Sequence, residues 1–259
     1  MDTDLAGYGR YTSVIENQLL LDTKDMTFKS DPTYCEILEH THPNLGKQYL
    51  DLIIKKWGKI FIQNMSLFQD MIKKNDSIGK PQTIKYSQYI DCSPSNLRYI
   101  FYSFLILNDI KSKNMSEVNI IEIGGGYGGL CFYIQQMSHL YDITVRKYAL
   151  FDLEHPMKLQ DRFLREVGIS NHITCTMNDL SQLEENSYLI SCYSFSEIAE
   201  KYQLEYTNNV LNSFVKNGFM AWNAIDVYDF MDNVKMEVSP EEPSSGPFSK
   251  NKFVMFSKE

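Results

Sequence analysis

Apolar residues recur at helical spacing up to about residue 112, and from residue 118 short apolar runs alternate with helical stretches. Residues 45–74 carry the clearest helical pattern. Tyr49, Leu52, Ile53, Trp57, Ile60, Phe61, Phe68, Met71 and Ile72 share one face, and Lys55, Lys56, Lys59, Lys73 and Lys74 lie largely elsewhere. This predicts one long helix packed on a core or on a partner helix. Residues 1–44 are weakly patterned, and 75–92 read as a loop. Ser93-Pro94 predicts a helix start, with Ser93 as N-cap and Pro94 at the first helical position, followed by Leu97, Ile100, Phe101, Phe104, Leu105 and Ile110.

The second half alternates strand and helix. Strands are expected at 118–123, Val145–Phe151, His172–Met177, Tyr188–Cys192 and Gly218–Ala224. Helices are expected at 127–139, through Met157, Leu159, Phe163, Leu164 and Val167 with Gly168 as C-terminal cap, and through Leu204, Leu211, Phe214 and Val215. That order implies a parallel sheet with helices on both faces. Val234–Val238 and Lys252–Ser257 read as a terminal antiparallel hairpin, joined by a long linker that starts at Ser239-Pro-Glu-Glu-Pro.

Length and composition narrow the class. The 259 residues are 43% hydrophobic, enough for one large domain or a catalytic domain with an N-terminal extension. Thirty-three acidic against 25 basic side chains give a net charge of −8, which argues against a broad phosphate-backbone contact. Cys35, Cys92, Cys131, Cys175 and Cys192 are widely spaced without a CxxC, so they read as free thiols in a reducing, cytoplasmic setting. Met1-Asp-Thr-Asp shows no signal-peptide pattern, and no apolar run approaches a membrane span. His40 and His42 form an HxH pair best read as loop, and Asp226 with Asp229 is the one acidic pair worth testing for a metal; no metal is expected.

The chemistry concentrates where the first strand of the alternating region meets a glycine turn. Gly124, Gly126 and Gly129 fit GxGxxG, and Gly124, Gly126 and Gly128 fit GxGxG; each match alone is weak. Glu122 precedes the turn. A carboxylate there repels a pyrophosphate and suits a cationic ligand such as S-adenosylmethionine, with its sulfonium and α-ammonium groups. Asp152, ending the next strand ahead of Leu153, suits two ribose hydroxyls, a device that NAD enzymes share. Asp179, after the third strand, is a candidate acceptor for an adenine amino group.

The runs Glu122-Ile-Gly-Gly-Gly-Tyr-Gly-Gly129, Phe151-Asp-Leu153 and Ser194-Phe-Ser-Glu197 resemble a family of sugar O-methyltransferases, class I enzymes dependent on S-adenosylmethionine. Gly79-Lys-Pro81 and Ser93-Pro-Ser-Asn-Leu-Arg98 are similar to the segment preceding the glycine motif there, so the resemblance spans about residues 79–225. It departs at Glu154-His155-Pro156 and at Cys192-Tyr193, both on the acceptor side. The resemblance implies a Rossmann-like α/β fold: a seven-stranded, mostly parallel sheet with a C-terminal antiparallel hairpin. Residues 113–259 would form it, and 1–112 a helical N-terminal extension or lid contributing to the acceptor site.

The implied acceptor is a sugar hydroxyl, on a nucleotide-sugar or glycan, with nucleic acid and membrane excluded as partners and a homo-oligomer left open. Such a hydroxyl needs a base near the carboxyl ends of the strands. Glu197 is the first candidate and His155 the second. Tyr127 and Ser194 are placed at the cofactor. Tyr193 and Trp222 can stack on a sugar ring, and Arg98 can anchor a carboxylate or phosphate. The rival readings are a methyltransferase for protein, nucleic acid or another small molecule, an NAD-dependent oxidoreductase, and a non-catalytic partner that keeps the fold.

Overall fold

The computed structural model describes residues 8–245 and 249–259. The N-terminal residues read for a signal peptide, and positions 246–248 of the hairpin linker, lie outside the described residues. The chain divides into two compact units. A helical unit is built from the chain up to Ser116, with Gly126–Ile143 and Glu154–Ser170; a sheet unit holds Glu117–Gly125, Thr144–Leu153 and the chain from Asn171 onward.

The sheet unit contains seven strands: β1 (Glu117–Ile123), β2 (Thr144–Phe151), β3 (His172–Cys175), β4 (Ser187–Cys192), β5 (Val215–Trp222), β6 (Val234–Pro240) and β7 (Lys252–Lys258). Their order is β3-β2-β1-β4-β5-β7-β6. The first five run parallel, and β7 is antiparallel to both β5 and β6. The expected sheet with its terminal hairpin is therefore present. Central strands read as apolar runs because both their faces are buried: Ile120, Ile121 and Ile123 of β1 are each at most 2% exposed. One face carries Ile121, Ile123, Ala149, Phe151 and Leu189 in a cluster with Tyr206, Val210, Leu211, Trp222 and Phe230.

Strand and helix ends moved by a few residues. The helix expected to run through Val215 ends at Phe214, because Val215 opens β5 and pairs with Ser187. The third strand stops at Cys175, and Thr176 then bridges to Asp179 in a tight turn.

The helical unit contains α1 (Tyr8–Leu19), α2 (Pro32–Ile37), α3 (Pro43–Gln63), α4 (Met65–Asp76), α5 (Pro94–Ser112), α6 (Gly129–Met137) and α7 (Glu154–Glu166). The single helix expected over 45–74 is two. The Asn64 side-chain amide donates to the Ile60 carbonyl at 2.9 Å and ends α3, and Phe61 and Phe68 meet across the break at 4.6 Å. Trp57 leaves helical geometry within α3 and stacks on Phe104 at 4.9 Å. The weakly patterned N-terminal stretch also holds helices. Asp31 and Pro32 start α2, and α1 buries Tyr11 and Ile15 while its C-terminal Leu19 carbonyl accepts from Arg162.

Ser93 stands at the N-cap of α5 as expected, yet its hydroxyl and amide both donate to Asp76 at 2.8 Å instead of capping the helix. His42 of the HxH pair caps α3, its Nδ1 accepting from the Asn44 amide at 3.2 Å. Among the described residues no helix is long and apolar enough to cross a membrane.

Candidate active site

In the sheet unit, β2 and β3 lie to one side of β1 and β4 lies on the other. The chain thus leaves β1 and β4 in diverging directions, and the crevice at their carboxyl ends is where such sheets bind ligands. Gly124 leaves β1 with φ +78°, its amide donating to the Phe151 carbonyl at 2.8 Å. A Cβ on Gly124 would run into the Cβ and Oγ of Ser194, so glycine here is required by the strand end opposite as well as by its own backbone. Ser191 of β4 ties the two strands, donating to the Ile123 carbonyl at 3.0 Å and accepting from the Phe195 amide at 3.0 Å.

The turn after β4 is strained at Tyr193, which has φ +70° although it is bulky. Its amide donates to the Ala221 carbonyl at 2.7 Å, and its hydroxyl donates to Glu241, a carboxylate only 6% exposed. Ser194 then opens the short helix α8 (Ser194–Glu197). Glu197 is exposed, and its Oε1 accepts from the Asn223 side-chain amide at 2.6 Å; the Asn223 backbone amide donates to Ser196 Oγ. The ends of β4 and β5 are joined in this way, and Glu197 stands among them in contact with water.

The three acids differ. Glu122 is 2% exposed and accepts from the Tyr148 hydroxyl at 2.8 Å. Burial pushes its carboxyl up to about 7; the Tyr148 bond opposes this and the nearby Asp152 charge adds to it. Glu122 is thus no fixed anion at neutral pH, and its charge alone does not select a cationic ligand. Asp152 directly follows β2, half-buried, with Oδ1 accepting from the Leu153 amide at 2.8 Å. Asp179 is exposed and its carboxylate accepts from the Ser181 hydroxyl at 2.6 Å and amide at 3.1 Å, which hold it below the usual carboxylate range. Asp179 caps its own turn, a local role that a loop acid fills by itself.

Trp222, proposed for a sugar ring, is fully buried. It packs on Phe195, Phe230 and Tyr228 in the core of the sheet unit, so it is a packing residue.

The second half of the glycine turn lies in the helical unit. Gly128, with φ +92°, caps α6, and the Gly126 carbonyl accepts from the buried Gln160 amide at 3.0 Å. Tyr127 is 1% exposed. Its hydroxyl donates to Asn75 Oδ1 at 3.1 Å, Phe163 packs edge-on at 4.9 Å, and Lys29 Nζ lies 4.2 Å from the ring centre. A side chain so held is a core anchor that shapes the turn, in place of the cofactor cover expected from sequence.

Arg98 is likewise buried, donating from Nη2 to the Leu38 carbonyl at 2.9 Å and lying over the Tyr99 ring. His155 is half-buried in the first turn of α7.

Sequence reasoning passed over three groups. Lys29 is buried against the Asn75 carbonyl, and burial pushes its ammonium down to about 8. Glu39, just past α2, has a buried Oε1 with no hydrogen-bond partner among the described residues, an arrangement that costs about 1–3 kcal/mol. Glu241 sits in the hairpin linker. No local pattern marks any of them. Among the described residues no group of three or more His, Cys, Asp or Glu is placed to hold a metal ion.

The residues brought together at the carboxyl ends of β1, β2 and β4 are therefore Glu122, Gly124, Asp152, Leu153, Tyr193, Ser194 and Glu197. Gly126, Tyr127, Gly128, Arg98 and His155 belong to the helical unit, while Asp179 and Trp222 serve turn and core.

No protein-family model matches the sequence, and no curated protein matches it. Solved structures do resemble the fold. One is an S-adenosylmethionine-dependent methyltransferase from Aquifex aeolicus, 14% identical over 58% of this chain and 88% of that one, with a TM-score of 0.40. Another is TrmK of M. capricolum in complex with S-adenosyl-homocysteine, 14% identical over 59% of this chain and 66% of that one, TM-score 0.40. A third, described as a type 11 methyltransferase from Sulfolobus solfataricus, is 14% identical over 57% of this chain and 86% of that one, TM-score 0.39. At these identities the likeness concerns the fold alone.

Proposed function

We propose that this chain is an S-adenosylmethionine-dependent O-methyltransferase whose acceptor is a sugar hydroxyl, free or carried on a nucleotide or glycan. The observation that carries the cofactor reading is the sheet order. A dinucleotide-binding sheet repeats its mononucleotide half in parallel strands, in the order 3-2-1-4-5-6. Here an antiparallel β7 is inserted between β5 and β6, so the second half is not a copy of the first. One adenosine site at the β1 and β2 ends suits that sheet better than NAD does.

The residues present fit such a cofactor. The turn out of β1 has positive φ at Gly124, Gly126 and Gly128, leaving no side chains on those backbone corners. Asp152 stands at the end of the neighbouring strand, where a carboxylate can accept from both ribose hydroxyls. When bound, the cofactor supplies an electrophilic methyl group. Glu197 is the side chain that can take the proton from the acceptor hydroxyl, being a carboxylate exposed at the carboxyl end of β4 and oriented by Asn223. Ser194 and Tyr193 line the same strand end. The sugar as acceptor rests on the resemblance over residues 79–225.

Calorimetry with S-adenosylhomocysteine tests the cofactor. Binding in the micromolar range is expected, and a well-folded protein that shows no heat at high micromolar ligand would end this reading. A parallel NADH titration followed by fluorescence should show no binding. Transfer of a labelled methyl group to a panel of nucleotide sugars and glycans tests the acceptor.

A further inference from the structure

We propose that the cleft between α4 and the hairpin preceding α5 is a carbohydrate-binding site of the helical unit, with Tyr89 as the platform for a sugar ring. The inference goes beyond the methyl transfer proposed above. Every residue lining this cleft belongs to the helical unit, and none is a candidate for holding the cofactor or moving the proton.

The cleft has a volume of about 500 Å³, the size of a small-molecule site. One wall is α4, which contributes Gln69, Lys73 and Asp76 together with the buried Ile72. The other is a short antiparallel hairpin, Ile84–Lys85 paired with Asp91–Cys92. Its turn is closed by the Tyr86 amide, which donates to the Ile90 carbonyl at 2.9 Å. Ser87 Oγ accepts from the Tyr89 and Ile90 amides at 3.2 and 3.1 Å. Gln69 Nε2 then donates to the Tyr89 carbonyl at 2.9 Å and fastens the turn to α4. Tyr89 is therefore held in place by its own turn and by the helix opposite.

The groups left over in the cleft define the ligand. Tyr89 is 57% exposed on this fixed backbone. Lys73 and Asp91 carry opposite charges and line the same cleft, yet among the described residues neither side chain makes an ion pair or a hydrogen bond. Asp76, by contrast, is already engaged by Ser93 and Asn96. An ammonium only donates and a carboxylate only accepts, so a ligand that meets both must do both. Sugar hydroxyls do, and the C–H face of the ring covers an aromatic side chain that has a polar tip. A phosphate would face Asp76 and Asp91 against the single Lys73, and is repelled. An acyl chain would bury Lys73 and Asp91 unmatched.

Saturation-transfer NMR on the full chain tests this with free hexoses, N-acetylhexosamines and hexuronic acids, and with their di- and trisaccharides. At least one sugar should bind with an affinity in the millimolar range or better, and the longer probes distinguish a glycan from a free monosaccharide. Tyr89→Ala should weaken that sugar by about tenfold or more, and Tyr89→Phe should keep it within about twofold. Asp91→Asn and Lys73→Gln should each weaken it several-fold. These side chains are exposed, so thermal unfolding should stay close to that of the wild type and show that the variants fold. Wild-type protein that binds no sugar in the panel overturns the proposal. So does sugar binding that survives Tyr89→Ala, which would place the ligand elsewhere, and so does a free amino acid or a nucleotide that saturates the cleft where sugars do not. Calorimetry with S-adenosylhomocysteine gives a separate answer: its failure ends the methyltransferase reading and leaves the sugar result standing.

Discussion

Tyr148 donates its hydroxyl to Glu122 Oε2 at 2.8 Å, and both side chains are buried in the sheet unit. The bond relates two neighbouring parallel strands, for Glu122 pairs in register with Leu150, two residues beyond Tyr148. Desolvation outweighs it, and the carboxyl rises from its ordinary 4.5 to about 7. In the window between those values the folded chain binds more protons than the unfolded one, so this group lowers stability as pH rises through it. The full penalty, on the order of 3 kcal/mol, is present above about pH 7 and absent below about pH 4.5. Glu122→Gln should therefore gain on the wild type from about pH 4.5 to about pH 7 in urea unfolding and level off above that. Parallel stability profiles for the two proteins would show that Glu122 is not the buried acid described.

Gly124 and Ser194 constrain each other across the strand ends. Gly124→Ala adds a Cβ to a left-handed backbone, which costs roughly 1–2 kcal/mol, and drives it into Ser194. Ser194→Gly removes the collision but not the backbone strain. A double-mutant cycle read by thermal or urea unfolding should give a favourable coupling of about 1 kcal/mol or more. Strict additivity would separate the two residues.

Asp152 is expected to act on the ligand. Asp152→Ala should reduce affinity for S-adenosylhomocysteine by about tenfold or more, through loss of charge-assisted bonds to the ribose. It should also lower the Glu122 pKa, because the Asp152 charge contributes to raising it. Calorimetry reads the first effect and a carboxyl NMR titration the second. Unchanged affinity would mean that the end of β2 is not the ribose site.

Glu197 and Asn223 form a hydrogen-bonded pair at the ends of β4 and β5. Glu197→Gln should leave S-adenosylhomocysteine binding unchanged and reduce methyl transfer by about a hundredfold or more, the usual range for a general base. Asn223→Ala should produce a smaller loss, since it removes orientation and leaves the carboxylate. A Glu197→Gln enzyme with full turnover would assign proton removal elsewhere, with His155 the next residue to replace.

Trp222 tests packing against recognition. Its ring lies wholly within the cluster of Phe195, Tyr228 and Phe230, so Trp222→Ala should cost about 3–5 kcal/mol of stability. Trp222→Phe should keep the fold with acceptor preference unaltered. A change of acceptor preference in a stable Trp222→Phe protein would return this residue to the site.

The amino-acid sequence by itself determined the alternation of elements, the glycine turn after β1, Asp152 at the end of β2 and the terminal hairpin. Each of these is written in neighbouring residues: a strand buried on both faces is a short apolar run, and a backbone corner of positive φ calls for glycine. The break at Asn64 and the small helices before residue 44 escaped notice because packing stabilises them more than local pattern does.

What only the tertiary structure decided is the state and direction of individual side chains. The charge of Glu122 depends on its burial first and on the opposing Tyr148 bond second, the burial of Tyr127 on Lys29, Asn75 and Phe163, and the place of Arg98 on a carbonyl from Leu38. Desolvation and hydrogen bonding come from whichever atoms arrive in space, and those atoms are distant along the chain. For that reason the acid two residues before the glycines stands out in the sequence, and Glu39, with its buried unmatched oxygen, does not.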